Sequence, residues 1–231
     1  MMSNLQQRIE KIDYDIQDAC DRTGRQRSDI TVVAVTKEVS SARAAEMIAS
    51  GFDHLGENRP EVLLEKQEAI QNGAIWHFIG NVQSRKVKDI INHIDYLHSV
   101  DRMSLAKEVQ KRADQPVDCF IQVNVSGEAS KSGVAPAELI DFIEQVVAYD
   151  KVRIIGLMTM APFTEDMDVI RTVFRSLREL RDEVAAQGLP HAPCTQLSMG
   201  MSNDFIIAIE EGATHVRIGT ALVGAESGED A

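Results

Sequence analysis

Lys37 is set down where an apolar run, "TVVAVT" at residues 31–36, stops. An amine held partly out of bulk water loses some of the hydration that stabilises its ammonium form, and the free base can attack a carbonyl carbon to form an imine. A lysine that merely snorkels from a strand end is the plainer alternative. Arg217 is the second unusual residue. It interrupts the apolar run "HVRIG" at 215–219, two residues before Gly219, and a buried guanidinium needs an acceptor. A salt bridge inside the fold, for example to Glu57, would satisfy it too. Two small-residue stretches complete the set. In "SMGMSND" at 198–204, Ser198, Gly200 and Ser202 supply hydroxyls and close backbone approach, while Asn203 and Asp204 look like a helix opening. "GTAL" at 219–222 offers free amides at another helix start. Each stretch alone reads as an ordinary turn; as neighbours they would cradle a phosphate.

Whether they are neighbours depends on the elements that carry them. Residues 3–23 read as an amphipathic helix, because Leu5, Ile9, Ile12, Ile16 and Ala19 recur at helical spacing, and Gly24 stops it. Strand-like runs follow at 31–36, 54–57, 76–80, 96–100, 119–125, 153–158, 195–199 and 215–219. Helical patterns alternate with them. One opens at Pro136 with Leu139, Ile140, Ile143, Val146 and Val147 on one face, and a longer one carries Ile170, Val173, Phe174, Leu177, Leu180 and Val184. Strands joined through helices pair in parallel, and a sheet buried on both faces explains why most of these runs lack polar alternation. A closed (β/α)8 TIM barrel, an α/β fold, is the economical solution; a doubly wound open sheet is the runner-up.

Composition agrees with a single barrel domain spanning 1–231, with a flexible acidic tail at about 226–231. The chain is 44% hydrophobic and lacks a Pro/Ser-rich linker or an internal repeat. A formal charge of −12 argues against nucleic acid and anionic membranes. No apolar run approaches the length of a bilayer span, so a cytoplasmic protein is expected. Cys20, Cys119 and Cys194 are far apart and read as buried small hydrophobes, and the histidines show no metal-ligand spacing.

A barrel of this kind builds its site at the C-terminal strand ends, often with a phosphate bound after strands 7 and 8. Lys37 then follows strand 1, Glu57 and Asn58 close strand 2, His77 lies within strand 3, and the two small-residue loops follow strands 7 and 8. A phosphate cradle beside an imine-forming lysine suits pyridoxal 5′-phosphate. Arg217 would face the pyridine nitrogen, leave it unprotonated and make the ring a weak electron sink. His77 and Met199 read equally well as a hydrogen-bonded core residue and as filler.

The stretches "AVTK" (34–37), "GEN" (56–58), "WHFIG" (76–80), "QSRK" (83–86), "SKSG" (130–133), "GLM" (156–158), "LSMGMSND" (197–204) and "VRIGTAL" (216–222) resemble, in order and spacing, the pyridoxal phosphate homeostasis protein family. That family is similar to the N-terminal barrel domain of alanine racemase standing alone, a type III pyridoxal-phosphate fold. The resemblance implies a covalent imine on Lys37, with Arg217 on the pyridine nitrogen. Ser198, Gly219 and Thr220 would hold the phosphate, Met199 and Gly200 would shape its loop, and Asn58 and His77 would line the ring. The chain differs from the family in "EVSS" after Lys37, in Arg59 after "GEN", and in "QSRK" for the usual "QSNK".

Function follows as a holder of the cofactor in intracellular homeostasis, a monomer passing it to PLP-dependent apoenzymes, with no catalytic residues and no metal. The alternative is an amino-acid racemase, which needs a second acid/base opposite the lysine. Tyr14, Tyr96 and Tyr149 do not match the racemase tyrosine motif, and the chain stops at "GAESGEDA" soon after strand 8. A Schiff-base aldolase would want a lysine on strand 6, and a sugar-phosphate isomerase a carboxylate base, for which Glu57 is the candidate.

Overall fold

Residues 4–128 and 131–225 are described by the computed structural model. The strands are β1 (Thr31–Val35), β2 (His54–Glu57), β3 (Ile75–Phe78), β4 (Tyr96–Val100), β5 (Val117–Gln122), β6 (Val152–Met158), β7 (Gln196–Ser198) and β8 (His215–Ile218). They pair in parallel in chain order, and β8 returns to β1 with Val33 opposite Arg217. Closure removes both sheet edges, so the barrel stands and the doubly wound sheet does not.

The helices are α1 (Asn4–Thr23), α2 (Ser41–Ala49), α3 (Pro60–Ile70), α4 (Met103–Arg112), α5 (Leu139–Val146), α6 (Met167–Ala186), α7 (Phe205–Glu210) and α8 (Thr220–Val223). Their starts follow from local chemistry. Ser40 accepts from the Arg43 amide to cap α2, Pro60 opens α3, and Asp166 accepts from the amides of Asp168 and Val169 to cap α6. The segment opened by Pro136 begins as a 3-10 turn, and Val147, expected on the buried face of α5, lies just past it and is exposed. α1 buries Ile9, Ile12, Ile16, Ala19 and Cys20 and packs against α7 and α8. Ser130 of "SKSG", residue 3 and the tail at 226–231 lie outside the described residues.

One continuous apolar core fills the layer between sheet and helices, holding outward strand residues such as Leu55, Leu97, Leu157 and Leu197. The barrel interior is different. A separate small cluster of Phe120, Ile155 and Met158 shares it with His77, His98, Ser198, His215 and Arg217, all buried. Polar alternation, expected to be lacking from most strands, is therefore present in β4 (Tyr96, His98), β7 (Gln196, Ser198) and β8 (His215, Arg217). The inner face satisfies its polar groups with internal hydrogen bonds, so burial on both faces does not require both to be apolar. Cys20, Cys119 and Cys194 are free and buried. Among the described residues no helix is long and apolar enough to cross a membrane.

Candidate functional site at the barrel mouth

Lys37 stands two residues past β1, its side chain 40% exposed and its Nζ 4.0 Å from the Glu38 carboxylate. The backbone just before it is fixed from the outside of the barrel. Thr36 is fully buried and its Oγ1 donates to Glu57 Oε1 at 2.6 Å; Lys66 from α3 donates to the same oxygen at 2.7 Å and also to the Thr36 carbonyl. A buried ion pair recovers little net energy after desolvation, but it fixes geometry, here the strand end that presents Lys37. Glu57 consequently points outward into the sheet–helix layer. It is fully buried against Lys66, so it serves neither as a base at the mouth nor as the partner of Arg217.

Beside it Asn58 is packed so closely under Gly80 that a Cβ there would come within 2.8 Å of it. Its Oδ1 is buried without a hydrogen-bond partner among the described residues. An orphaned acceptor at a strand end is costly unless a ligand donor meets it.

On the opposite edge of β1, Arg217 is 5% exposed. Its Nη1 donates to Ser198 Oγ at 2.5 Å and its Nη2 to the Thr159 carbonyl at 3.0 Å, and Thr159 Oγ1 in turn donates to the Val123 carbonyl. Among the described residues no carboxylate lies at ion-pair distance from it. Burial pushes its pKa down to about 10, opposed by the field of Asp204. The Asp204 carboxyl is itself raised by burial, while the Met201 amide and Arg217 act to lower it.

The loop after β7 turns at Gly200 (φ +93°), where a Cβ would stand 2.5 Å from that of Ala208. Gly200 also gives its carbonyl to the Arg217 amide. Met199 is fully buried, its amide donating to the His215 carbonyl, and Ser202 is half-buried. After β8, a Cβ added at Gly219 would meet only Val35, at 3.8 Å, so a ligand can approach the backbone there. Thr220 and Ala221 follow in the first turn of α8, where amides have no intrahelical acceptor, and Thr220 is exposed.

The nine expected residues thus fall into two tiers. Lys37, Asn58, Gly219 and Thr220 ring the mouth, with Gly200 and Met199 supporting its wall. Ser198, His77 and Arg217 lie inside the barrel. Ser198 is fully buried between Arg217 and His98, and both ring nitrogens of His77 are taken by His54 and His98. Reasoning from sequence missed His98, Thr159 and Lys66. The period-two pairs Tyr96/His98 and His215/Arg217, which place all four side chains on one strand face, could have found His98.

Residues 9–227 match the family described as alanine racemase, N-terminal domain. A pyridoxal phosphate homeostasis protein of Aquifex aeolicus is 42% identical over 96% of this chain and 98% of its own. Among solved structures, PipY of Synechococcus elongatus with PLP bound is 30% identical, covering 91% of this chain and 100% of that one at a TM-score of 0.79. Alanine racemase from Corynebacterium glutamicum, 16% identical, covers 96% of this chain and 63% of its own at a TM-score of 0.68, which reflects the shared barrel alone. The chain belongs to the alanine racemase N-terminal domain family, among its pyridoxal phosphate homeostasis proteins.

Proposed function

We propose that this chain holds pyridoxal 5′-phosphate in the barrel mouth and serves its homeostasis by storing and releasing it, without strong turnover. The observation that carries the reading is Arg217, a buried cation with no carboxylate partner among the described residues, on the strand beside β1, which leads to Lys37. When bound, the cofactor supplies an aldehyde that condenses with the Lys37 amine with loss of water, together with a ring nitrogen and a phosphate to be held. Two of the five N–H donors of Arg217 are engaged by Ser198 and Thr159, which leaves donors for the ring nitrogen. The amides at Gly219 and Thr220 and the hydroxyls of Thr220 and Ser202 take the phosphate, and Asn58 Oδ1 accepts from the ligand. Ser198 and His77 act from beneath.

Storage is favoured over racemisation by where the tyrosines lie. Tyr14 projects from α1, Tyr96 begins β4 against His77, and Tyr149 follows α5, on the side where β6 begins; none is placed as a second acid/base opposite Lys37. The exposure of Lys37 supports release, because an incoming amine can reach the carbon it holds. Under this reading the recipients are PLP-dependent apoenzymes, met by a monomer in the cytoplasm.

Purified protein mixed with the cofactor is expected to gain a visible absorbance band. Borohydride should fix the ligand, mass spectrometry should place it on Lys37, and Lys37→Ala should abolish both. A protein that gains no band, or a reduced adduct elsewhere, would refute the reading.

A further inference from the structure

Four side chains run in single file through the barrel to Arg217. His54 Nδ1 lies 2.8 Å from His77 Nε2, and His77 Nδ1 lies 2.8 Å from His98 Nε2. His98 Nδ1 is 2.9 Å from Ser198 Oγ, which accepts from Arg217 at 2.5 Å. The first links join adjacent strands β2, β3 and β4; the next crosses the barrel to β7. His77 and His98 are fully buried, while His54, at the start of β2, is half-buried and lines a cleft of about 440 Å3 at the barrel floor. The rings are held in plane by their neighbours. Tyr96 stacks on His77 with centroids 4.3 Å apart, and Phe120 lies 4.5 Å from His98.

The file has one self-consistent direction. Arg217 can only donate, so one lone pair of Ser198 Oγ is occupied. If His98 also donated to that oxygen, the serine hydroxyl proton would be left in a buried place without an acceptor, which is costly. The hydroxyl therefore donates to His98 Nδ1, and His98, neutral, carries its proton on Nε2. That proton is donated to His77 Nδ1, which obliges His77 to carry its own on Nε2 and donate to His54 Nδ1. His54 in turn presents its Nε2 proton at the floor. Burial first, and then His77, the Arg217 cation and His215, disfavour charging His98, and burial, His215 and His54 do the same at His77. Burial lowers His54 as well, with Asp53 and Asp95 opposing it.

We propose that His98, His77 and His54, acting through Ser198, are positioning residues for Arg217: a file of neutral imidazoles of a single tautomer that fixes the guanidinium beneath the mouth. The assignment rests on the cofactor reading for what Arg217 meets, but the file itself is a property of the ligand-free chain.

Two measurements test it. In the ligand-free protein, nitrogen-15 NMR of the histidine side chains should show His77 and His98 neutral and protonated on Nε2; protonation on Nδ1 at either would overturn the proposal. With pyridoxal phosphate added, His98→Phe, which breaks the file at its centre, should raise the dissociation constant about tenfold and shift the visible band. His98→Gln, whose amide can accept from Ser198 and donate to His77, should restore both. A His98→Phe protein with parental band and affinity would overturn the positioning role, and so would failure of His98→Gln to recover them. If parental protein takes up no cofactor at all, the function proposed above fails, and the tautomer measurement still decides the file.

Discussion

Acidification should unfold this protein earlier than its carboxylates alone would, because the barrel interior is built on neutral imidazoles. His77, His98 and His215 are held well below the usual histidine range by burial first and by neighbouring imidazoles second, with Arg217 adding to this at His98 and His215, and His215 lies at about 3. In the unfolded chain each titrates near 6.5. Below that value the unfolded state takes up protons that the folded state refuses, so stability is intact above about pH 7 and is lost as the pH falls. A histidine that stays neutral in the fold contributes a loss of about 1.9 kcal/mol between pH 7 and pH 5, and three contribute about 6 kcal/mol. That is comparable to the whole stability of many domains, about 5–15 kcal/mol. Asp204, whose carboxyl is raised, offsets part of the loss, whereas Glu210 and Glu211 are lowered and titrate below this window. Urea unfolding followed by far-UV circular dichroism at both pH values reads the effect directly. His77→Gln removes one titrating group, so its loss between the two pH values should shrink by about 1.9 kcal/mol, whatever its stability at pH 7. Equal midpoints at pH 7 and pH 5 for the parental protein, or an unchanged pH dependence in His77→Gln, would refute the reasoning.

Two substitutions test the walls of the site. Gly200→Ala introduces a methyl at φ +93°, 2.5 Å from the Ala208 methyl, and should cost about 2–3 kcal/mol in urea unfolding while weakening cofactor retention. Lys66→Met strands the Glu57 carboxylate behind Lys37 and should cost about 3–5 kcal/mol, much of it recovered by adding Glu57→Leu; a single variant as stable as the parent would show that the pair fixes nothing.

The barrel was legible because strand-forming runs and helical periods alternate at short intervals, and eight such units close on themselves. Lys37 and Arg217 were legible for a different reason: a charged residue in an apolar run has to be explained. The file beneath them was not. Its links join residues 23, 21, 100 and 19 apart in sequence, and a histidine in a short apolar strand fits either face until the register is known. Ser198 opens a small-residue loop in the sequence, and that it is the last residue of β7, turned inward by strand parity, shows only in the fold. Lys66 sits among charges in "PEVLLEKQEAI", and only the packing of α3 against β2 brings it to Glu57.

The placement of charge along the barrel separates two tasks that one group could not perform together. Arg217 is 5% exposed, tied down by Ser198 and Thr159, and unmatched by any carboxylate among the described residues. In that low-dielectric setting its field reaches the mouth with little screening. A carboxylate beside it would have neutralised that field and left nothing for a ligand to complete. Lys37, by contrast, is 40% exposed at the rim, where water and incoming amines have access. A deeply fixed donor gives orientation, and a wetted amine gives reversibility. A barrel meant for rapid turnover would be expected to bury the reacting amine and exclude water around it; under the function proposed above, this one buries the anchor and leaves the amine at the surface, which is the arrangement a holder needs if it is also to let go.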